Sequence, residues 1–189
     1  MSKNYTAIHY IQHELKNYDP GFVNCVVRCF NIIEQNKEPD GCLSNSAILY
    51  ICAKKYGYNP TICYGLCNID GRDFYHVWLE LNNIIIDLSI YGNVNYSPYL
   101  MLGYKIETPF IGKYDDAKMM YGRFKFDRFK FDQDWDSSLI GGIQGKTLIQ
   151  YMDGLPQFKM WKLVCKCMDK TFTKDLLQQL RKYAENVQF

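Results

Sequence analysis

Two apolar runs separated by Asn82-Asn83 constrain the fold of this chain more than any other feature. Residues 74–81 and 84–90 are rich in aromatic and branched apolar side chains, which are typical of strands. A two-residue connection built from asparagine favours a tight hairpin, because asparagine tolerates a left-handed backbone. We therefore predict an antiparallel hairpin in which Leu81 faces Ile84.

This register determines which side chains share a face of the hairpin, since successive residues of a strand point to opposite sides. One face is wholly apolar and is predicted to lie in the core; it consists of Val77, Leu79, Leu81, Ile84, Ile86 and Leu88. The other face is predicted to be open and consists of His76, Trp78, Glu80, Ile85, Asp87 and Ser89. On that second face His76 and Asp87 are diagonal neighbours, close enough for a hydrogen bond.

The rest of the chain shows mainly helical spacing of apolar residues. The Asp19-Pro20 pair is a capping residue followed by proline in the first turn, and it predicts the start of a helix. Residues 155–168 fit a helix and a strand equally well. The other predicted elements are helices over 5–17, 20–35, 43–56 and 173–187 and a strand over 61–68.

Helices followed by a run of strands are typical of the α+β class. The chain has 189 residues, of which 48% are hydrophobic, and this is enough to build the core of one domain. We predict a single domain over 1–189, with N-terminal helices in 1–39, a core in 40–95 and a C-terminal extension of unclear role in 96–189.

Composition excludes several classes of protein. Aromatic residues make up 16% of the chain, which excludes general disorder, and the net charge of +2 argues against nucleic acid as a partner. No apolar run approaches the roughly 20 residues that a membrane span needs. The polar N-terminus does not resemble a signal peptide, so we expect a cytoplasmic protein whose eight cysteines are reduced and mostly buried.

Cys42 stands at the predicted start of the third helix, directly after Gly41. A thiol at a helix N-terminus lies near free N–H groups and the positive end of the helix dipole, which favour the thiolate. A thiolate that faces a histidine oriented by an aspartate is the arrangement that nucleophilic acyl chemistry requires. Cys42, His76 and Asp87 are therefore the candidate catalytic residues.

These residues also carry a family resemblance. The segments GCLSNSAILYICAKKYGYNPTICYGLC, HVWLEL and IIIDLS resemble the core of the transglutaminase-like cysteine enzymes. The spacing is similar to that of small bacterial members, such as the leader peptidases of lasso-peptide biosynthesis. The resemblance covers about residues 40–90, and it implies that Cys42 is the nucleophile, His76 the base and Asp87 the acid that orients it.

The same resemblance bears on two supporting residues. Trp78 and Glu80 match the residues that accompany the histidine on its strand, and Trp78 is a candidate for the substrate groove. The backbone N–H of Cys42 is one candidate oxyanion donor. Gln35 or Asn36, six or seven residues upstream of Cys42, is a candidate for the second, since related thiol enzymes often keep a glutamine there.

The sequence thus predicts a cysteine enzyme that cleaves an amide bond, or transfers its acyl group, through a thioester. The resemblance implies a peptide or protein substrate, with no cofactor and no membrane or nucleic-acid partner. Hydrolysis and transfer use the same residues, so both remain open.

Two alternatives use other features of the chain. In the first, the fold is catalytically idle and serves as a binding module. In the second, a metal-stabilised interaction domain uses His9 and His13 with Cys25 and Cys29, because each pair lies one helical turn apart.

Three further patterns fail as functional motifs. Residues 141–147 resemble a phosphate-binding loop but are one residue short. Asp132, Asp134 and Asp136 begin like a calcium loop, but a serine replaces its glycine. The tandem repeat RFKFDRFKFD over 123–132 offsets part of its basic charge with aspartates and is predicted to form a strand or edge.

Overall fold

The computed structural model of the protein describes residues 3–37, 39, 41–69, 71–97, 105–117, 120–123 and 145–188. Its helices of at least six residues are α1 (Lys3–Glu14), α2 (Pro20–Asn36), α3 (Cys42–Lys55), α4 (Ser89–Tyr96), α5 (Leu148–Asp153), α6 (Lys159–Cys167) and α7 (Lys174–Arg181). Its strands are β1 (Thr61–Ile69), β2 (Arg72–Leu81), β3 (Ile84–Asp87), β4 (Phe110–Gly112) and β5 (Met120–Arg123). No helix of this part of the chain is both long and apolar enough to cross a bilayer.

The described strands form one antiparallel sheet in the order β4-β3-β2-β1-β5. Helices and an antiparallel sheet together confirm the α+β class. The predictions for 124–140 lie outside the described residues. Of the segment 141–147 only 145–147 is described. There the Thr147 side chain caps α5 by accepting a hydrogen bond from the backbone N–H of Gln150.

The predicted hairpin and its register are confirmed. Leu81 pairs with Ile84, and Leu79 pairs with Ile86. Both turn residues adopt positive φ angles, 51° at Asn82 and 64° at Asn83, as a tight hairpin turn of this kind requires. The turn chemistry and the apolar alternation therefore agree on a single pairing.

The third strand is shorter than predicted. It ends at Asp87, and residues 89–90, predicted to be part of the strand, lie in α4. The cause is the Asp87 carboxylate, whose Oδ1 accepts a hydrogen bond of 3.0 Å from the backbone N–H of Ile90. A carboxylate that binds an N–H group in the first turn favours the start of a helix at that point.

The structure also resolves the C-terminal segments. Residues 159–167, which fitted a helix or a strand, form α6, with Trp161 and Val164 buried in the core. The predicted helix over 173–187 is shorter: α7 ends at Arg181, followed by a 3₁₀ turn over Lys182–Ala184.

The core lies between the apolar face of the hairpin and the helices. Helix α3 packs on β2, on α2 and on α6, so one apolar cluster joins both ends of the chain to the sheet. From the hairpin it contains Leu79, Leu81, Ile86 and Leu88, none of which is more than 1% exposed. All eight cysteines are free and buried, as expected for thiols that serve as small apolar side chains.

Shortening a side chain in this core should destabilise the protein. We expect Leu79→Ala or Ile86→Ala to lower the free energy of unfolding by about 2–5 kcal/mol, because each leaves a cavity in a layer that water does not reach. Urea denaturation measures the loss. Tyr5→Ala, at a side chain that is 52% exposed, is the control and should change stability by about 0.5 kcal/mol or less. Equal losses for the core and control variants would contradict the core assignment.

Candidate active site

Cys42 is the first residue of α3, and Gly41 precedes it in the capping position. No described side chain caps this helix. The backbone N–H groups of its first turn, which lie next to Cys42, therefore have no capping oxygen among the described side chains. The Cys42 side chain is 3% exposed and packs with Leu43, Tyr64 and Val77. The thiol therefore sits where α3 meets the sheet.

The hairpin brings His76 and Asp87 into direct contact. Nε2 of His76 and Oδ2 of Asp87 are 2.7 Å apart, in agreement with the predicted diagonal placement. The side chains are 0% and 1% exposed, so the hydrogen bond is shielded from water. A pair in this environment interacts far more strongly than the same pair on a surface.

The Asp87 carboxylate has two further partners. The hydroxyl of Tyr121, on β5, donates to Oδ2 at 2.9 Å, and the backbone N–H of Ile90 donates to Oδ1 at 3.0 Å. Burial raises the pKa of Tyr121 well above its ordinary value, and the charge of Asp87 raises it further. The tyrosine therefore stays a donor, and the carboxylate is fixed by three hydrogen bonds.

Asn93, on α4, holds the other side of the imidazole. One end of its amide faces the backbone carbonyls of Pro39 and Ser89, which identifies that end as the NH2 group. The opposite end, the amide oxygen, then faces Nδ1 of His76 at 3.3 Å. With acceptors at both nitrogens, the surroundings favour the doubly protonated ring.

Burial is the largest single influence on the pKa of His76 and lowers it, since it disfavours a charged ring. The negative charge of Asp87, its hydrogen bond to the ring and the neighbouring Cys42 together outweigh burial and raise the pKa to about 10. The imidazolium is thus the favoured form of His76 at neutral pH.

Cys42 completes the group, because it lies close enough to the His76 ring to raise the pKa of that ring. Of the two ring nitrogens, Nε2 is engaged by Asp87 and Nδ1 faces the Asn93 amide. The contact is possible because β3 pairs with β2 only over Leu79–Leu81 and then ends. Beyond that pairing, the part of β2 that carries His76 lies next to α4 and the start of α3.

The second face of the hairpin is not open, contrary to the prediction. His76, Trp78, Ile85, Asp87 and Ser89 are all buried. Phe110 of β4 and Tyr121 of β5 pack against Trp78 and Ile85, and so cover a face that the hairpin alone leaves exposed.

Trp78 therefore does not line an open groove. Its side chain is 0% exposed, its ring lies nearly parallel to that of His76 at a centroid distance of 6.4 Å, and its Nε1–H donates to Glu80 at 3.2 Å. This residue packs behind the histidine rather than facing a ligand.

The structure does not bring Gln35 into the site either. Gln35 and Asn36 are exposed in the last turn of α2, and among the hydrogen bonds of the described residues none joins either to Cys42 or His76. Asn93 and Tyr121 are the polar residues that sequence reasoning missed. Both reach the site through tertiary contacts that no local pattern signals.

The alternative metal site is not assembled. His13 is 70% exposed, whereas Cys25 and Cys29 are buried in the core, so the two pairs do not converge. Within the described ranges no group of three His, Cys, Asp or Glu side chains is arranged to hold a metal ion.

Comparison with known proteins adds no relative: no family model, curated protein or solved structure matches the chain.

The charge of Asp87 should control the titration of His76. Asp87→Asn removes the largest influence that raises the pKa and leaves burial, so the pKa should fall from about 10 to below the ordinary value of about 6.5. Titration of the ring signals by NMR measures it. Asp73→Asn is the matched control, because Asp73 is exposed and lies on β2, the strand that carries His76; this change should leave the titration midpoint of His76 in place. An unchanged midpoint in Asp87→Asn would show that another group holds the proton.

Proposed function

We propose that the protein is a cysteine-dependent enzyme of the transglutaminase-like kind, which opens an amide bond through a thioester on Cys42. One observation carries the proposal. A buried histidine is held by a carboxylate through Nε2 and lies beside a cysteine at the start of a helix, close enough for that cysteine to raise the pKa of the ring. This is the constellation of nucleophile, base and orienting acid that acyl transfer uses.

The first half of the reaction forms the acyl-enzyme. Cys42 attacks as the thiolate beside the His76 imidazolium, and its sulfur adds to the carbonyl carbon of the amide. The tetrahedral intermediate then collapses, the C–N bond breaks, and the imidazolium returns the proton to the departing amine. Asp87 remains ionised and holds the ring through Nε2.

The second half consumes the thioester. Water or an amine attacks the carbonyl, His76 takes a proton from the attacking group, and the C–S bond breaks to restore Cys42. With water the product is a carboxylic acid, and with an amine it is a new amide.

The start of α3 can stabilise the negative oxygen of both tetrahedral intermediates. The Cys42 backbone N–H belongs to the first turn, where the N–H groups have no partner within the helix. Donors of this kind lower the barrier when they point at developing negative charge. The helix that activates the thiolate therefore also supplies an oxyanion donor.

For the substrate we propose a peptide or protein, as the resemblance to the transglutaminase-like cysteine enzymes implies. The eight free cysteines fit a reducing compartment such as the cytoplasm.

Cys42 should react with an alkylating agent before the other seven cysteines. All eight thiols are buried, so exposure does not single one out, and Cys42 is the one that stands at the start of a helix beside the His76 ring. Brief treatment with iodoacetamide at pH 6–7, followed by peptide mapping, measures the order of labelling. Prior labelling of any other cysteine would argue against an activated thiol at this position.

Turnover should depend on the thiol. A complex peptide mixture is incubated with the wild type and with Cys42→Ser in ¹⁸O-labelled water and a dansylated alkylamine, and the products are identified by mass spectrometry. We expect new carboxyl ends that carry ¹⁸O or new dansyl amides with the wild type, and neither with Cys42→Ser. The label that appears distinguishes hydrolysis from transfer.

The near-isosteric serine makes this a test of chemistry, because it should leave the fold intact. Comparable unfolding midpoints for the two proteins provide the control. If the wild type produced no more product than Cys42→Ser, the fold would be catalytically idle, as in the binding-module alternative.

A further inference from the structure

A cavity of about 310 Å³ lies beside the candidate nucleophile. Leu43, Tyr64 and Val77 line it, and the same three side chains pack around Cys42. Leu43 also follows Cys42 directly in α3. The cavity and the thiol therefore share one wall.

The lining of this cavity has a definite chemical character. Its inner side is buried or half-buried, and four apolar side chains (Leu43, Pro60, Ile62 and Val77) line it beside the rings of Tyr50 and Tyr64. Its outer side carries the exposed uncharged residues Thr61, Asn186 and Gln188. No Asp, Glu, Lys, Arg or His occurs among its described lining residues. A charged group placed here loses water without gaining a counter-charge, whereas an apolar group gains from burial.

The C-terminal segment forms one wall of the cavity. Residues 186–188 line it, and they are held in place by the start of α5. The Leu148 backbone N–H donates to the Val187 carbonyl at 2.9 Å, and Thr147 and Gln188 form an antiparallel bridge. A hydrogen bond of 2.9 Å between the hydroxyls of Tyr151, on α5, and Ser44 ties the same region to the first turn of α3.

We infer that this cavity is the substrate pocket for one uncharged, apolar side chain on the acyl side of the bond that is opened. Its volume is at the lower end of the range of about 300–1,000 Å³ typical of ligand sites, which suits a single side chain rather than a length of peptide. The C-terminal extension thereby acquires a role, because it completes the pocket that selects the substrate. The inference rests on the proposed function of Cys42.

The test uses three dipeptide vinyl sulfones that differ only in the side chain next to the electrophile: leucine, asparagine or aspartate. Leucine and asparagine have nearly the same shape, so their comparison isolates polarity. We expect the leucine compound to alkylate Cys42 about tenfold faster or more than the other two, within the range that an apolar pocket provides. Intact mass measured over time gives each rate.

Val187→Trp tests the pocket itself, because it places a large ring at a half-buried position on the C-terminal wall. The rate at which the leucine compound alkylates Cys42 should fall about tenfold, toward the rate of the asparagine compound. Labelling of Cys42 by iodoacetamide should stay unchanged. Leu163→Trp is the matched control, since it adds the same ring at a half-buried position of α6 outside this cavity. Val187→Ala is a second variant, which enlarges the cavity and should therefore speed the alkylation of Cys42 by a vinyl sulfone that carries phenylalanine in place of leucine.

Two results would overturn the inference, and they differ in meaning. If iodoacetamide labels Cys42 first but the three vinyl sulfones react equally, the pocket is wrong and the activated thiol stands. If iodoacetamide does not select Cys42, the proposed function fails and the pocket inference fails with it.

Discussion

The buried pair of His76 and Asp87 is the interaction on which the site depends. A charged group removed from water is costly unless its hydrogen bonds are made in the interior. Asp87 meets this condition through His76, Tyr121 and the Ile90 backbone, and these three partners come from a strand, a second strand and a helix. Loss of any one of them leaves a buried polar group without its partner, which explains why several elements must meet at this point.

Asp87 also shapes the backbone around it. By binding the N–H of Ile90 it ends β3 and starts α4, so the hairpin is interrupted beside His76. The start of α3 approaches the histidine at this interruption. The same carboxylate therefore orients the imidazole and marks the end of the strand beside it.

Asn93 connects the two halves of the site. Its amide reaches the His76 ring on one side and the backbone of Pro39, three residues before Cys42, on the other. A rigid amide between these groups relates the position of Cys42 to that of His76. The proposed acyl transfer would need this precision, because small displacements of reacting groups are costly in rate.

The local predictions that are confirmed rest on short-range rules. Asp19 caps α2 with hydrogen bonds to Gly21 and Phe22, and the Asn82-Asn83 turn sets the register that places His76 beside Asp87. The prediction that the second face of the hairpin is open was wrong, because burial depends on residues distant in sequence that pack against that face. Trp78 was expected in a groove, but Phe110 and Tyr121 cover it, and Gln35 stays exposed.

The sequence by itself thus determined the three N-terminal helices α1, α2 and α3, the hairpin register and the placement of His76 beside Asp87. Alternation, turn chemistry and capping act between residues a few positions apart, and such rules can be applied along the chain without a structure. Only the tertiary structure decided that the site is buried, that Tyr121 and Asn93 complete it, and that residues 186–188 close a cavity next to it. These contacts join residues from 17 to more than a hundred positions apart, as the Ser44–Tyr151 hydrogen bond illustrates. No periodic pattern encodes them, because each depends on how separate elements pack in space.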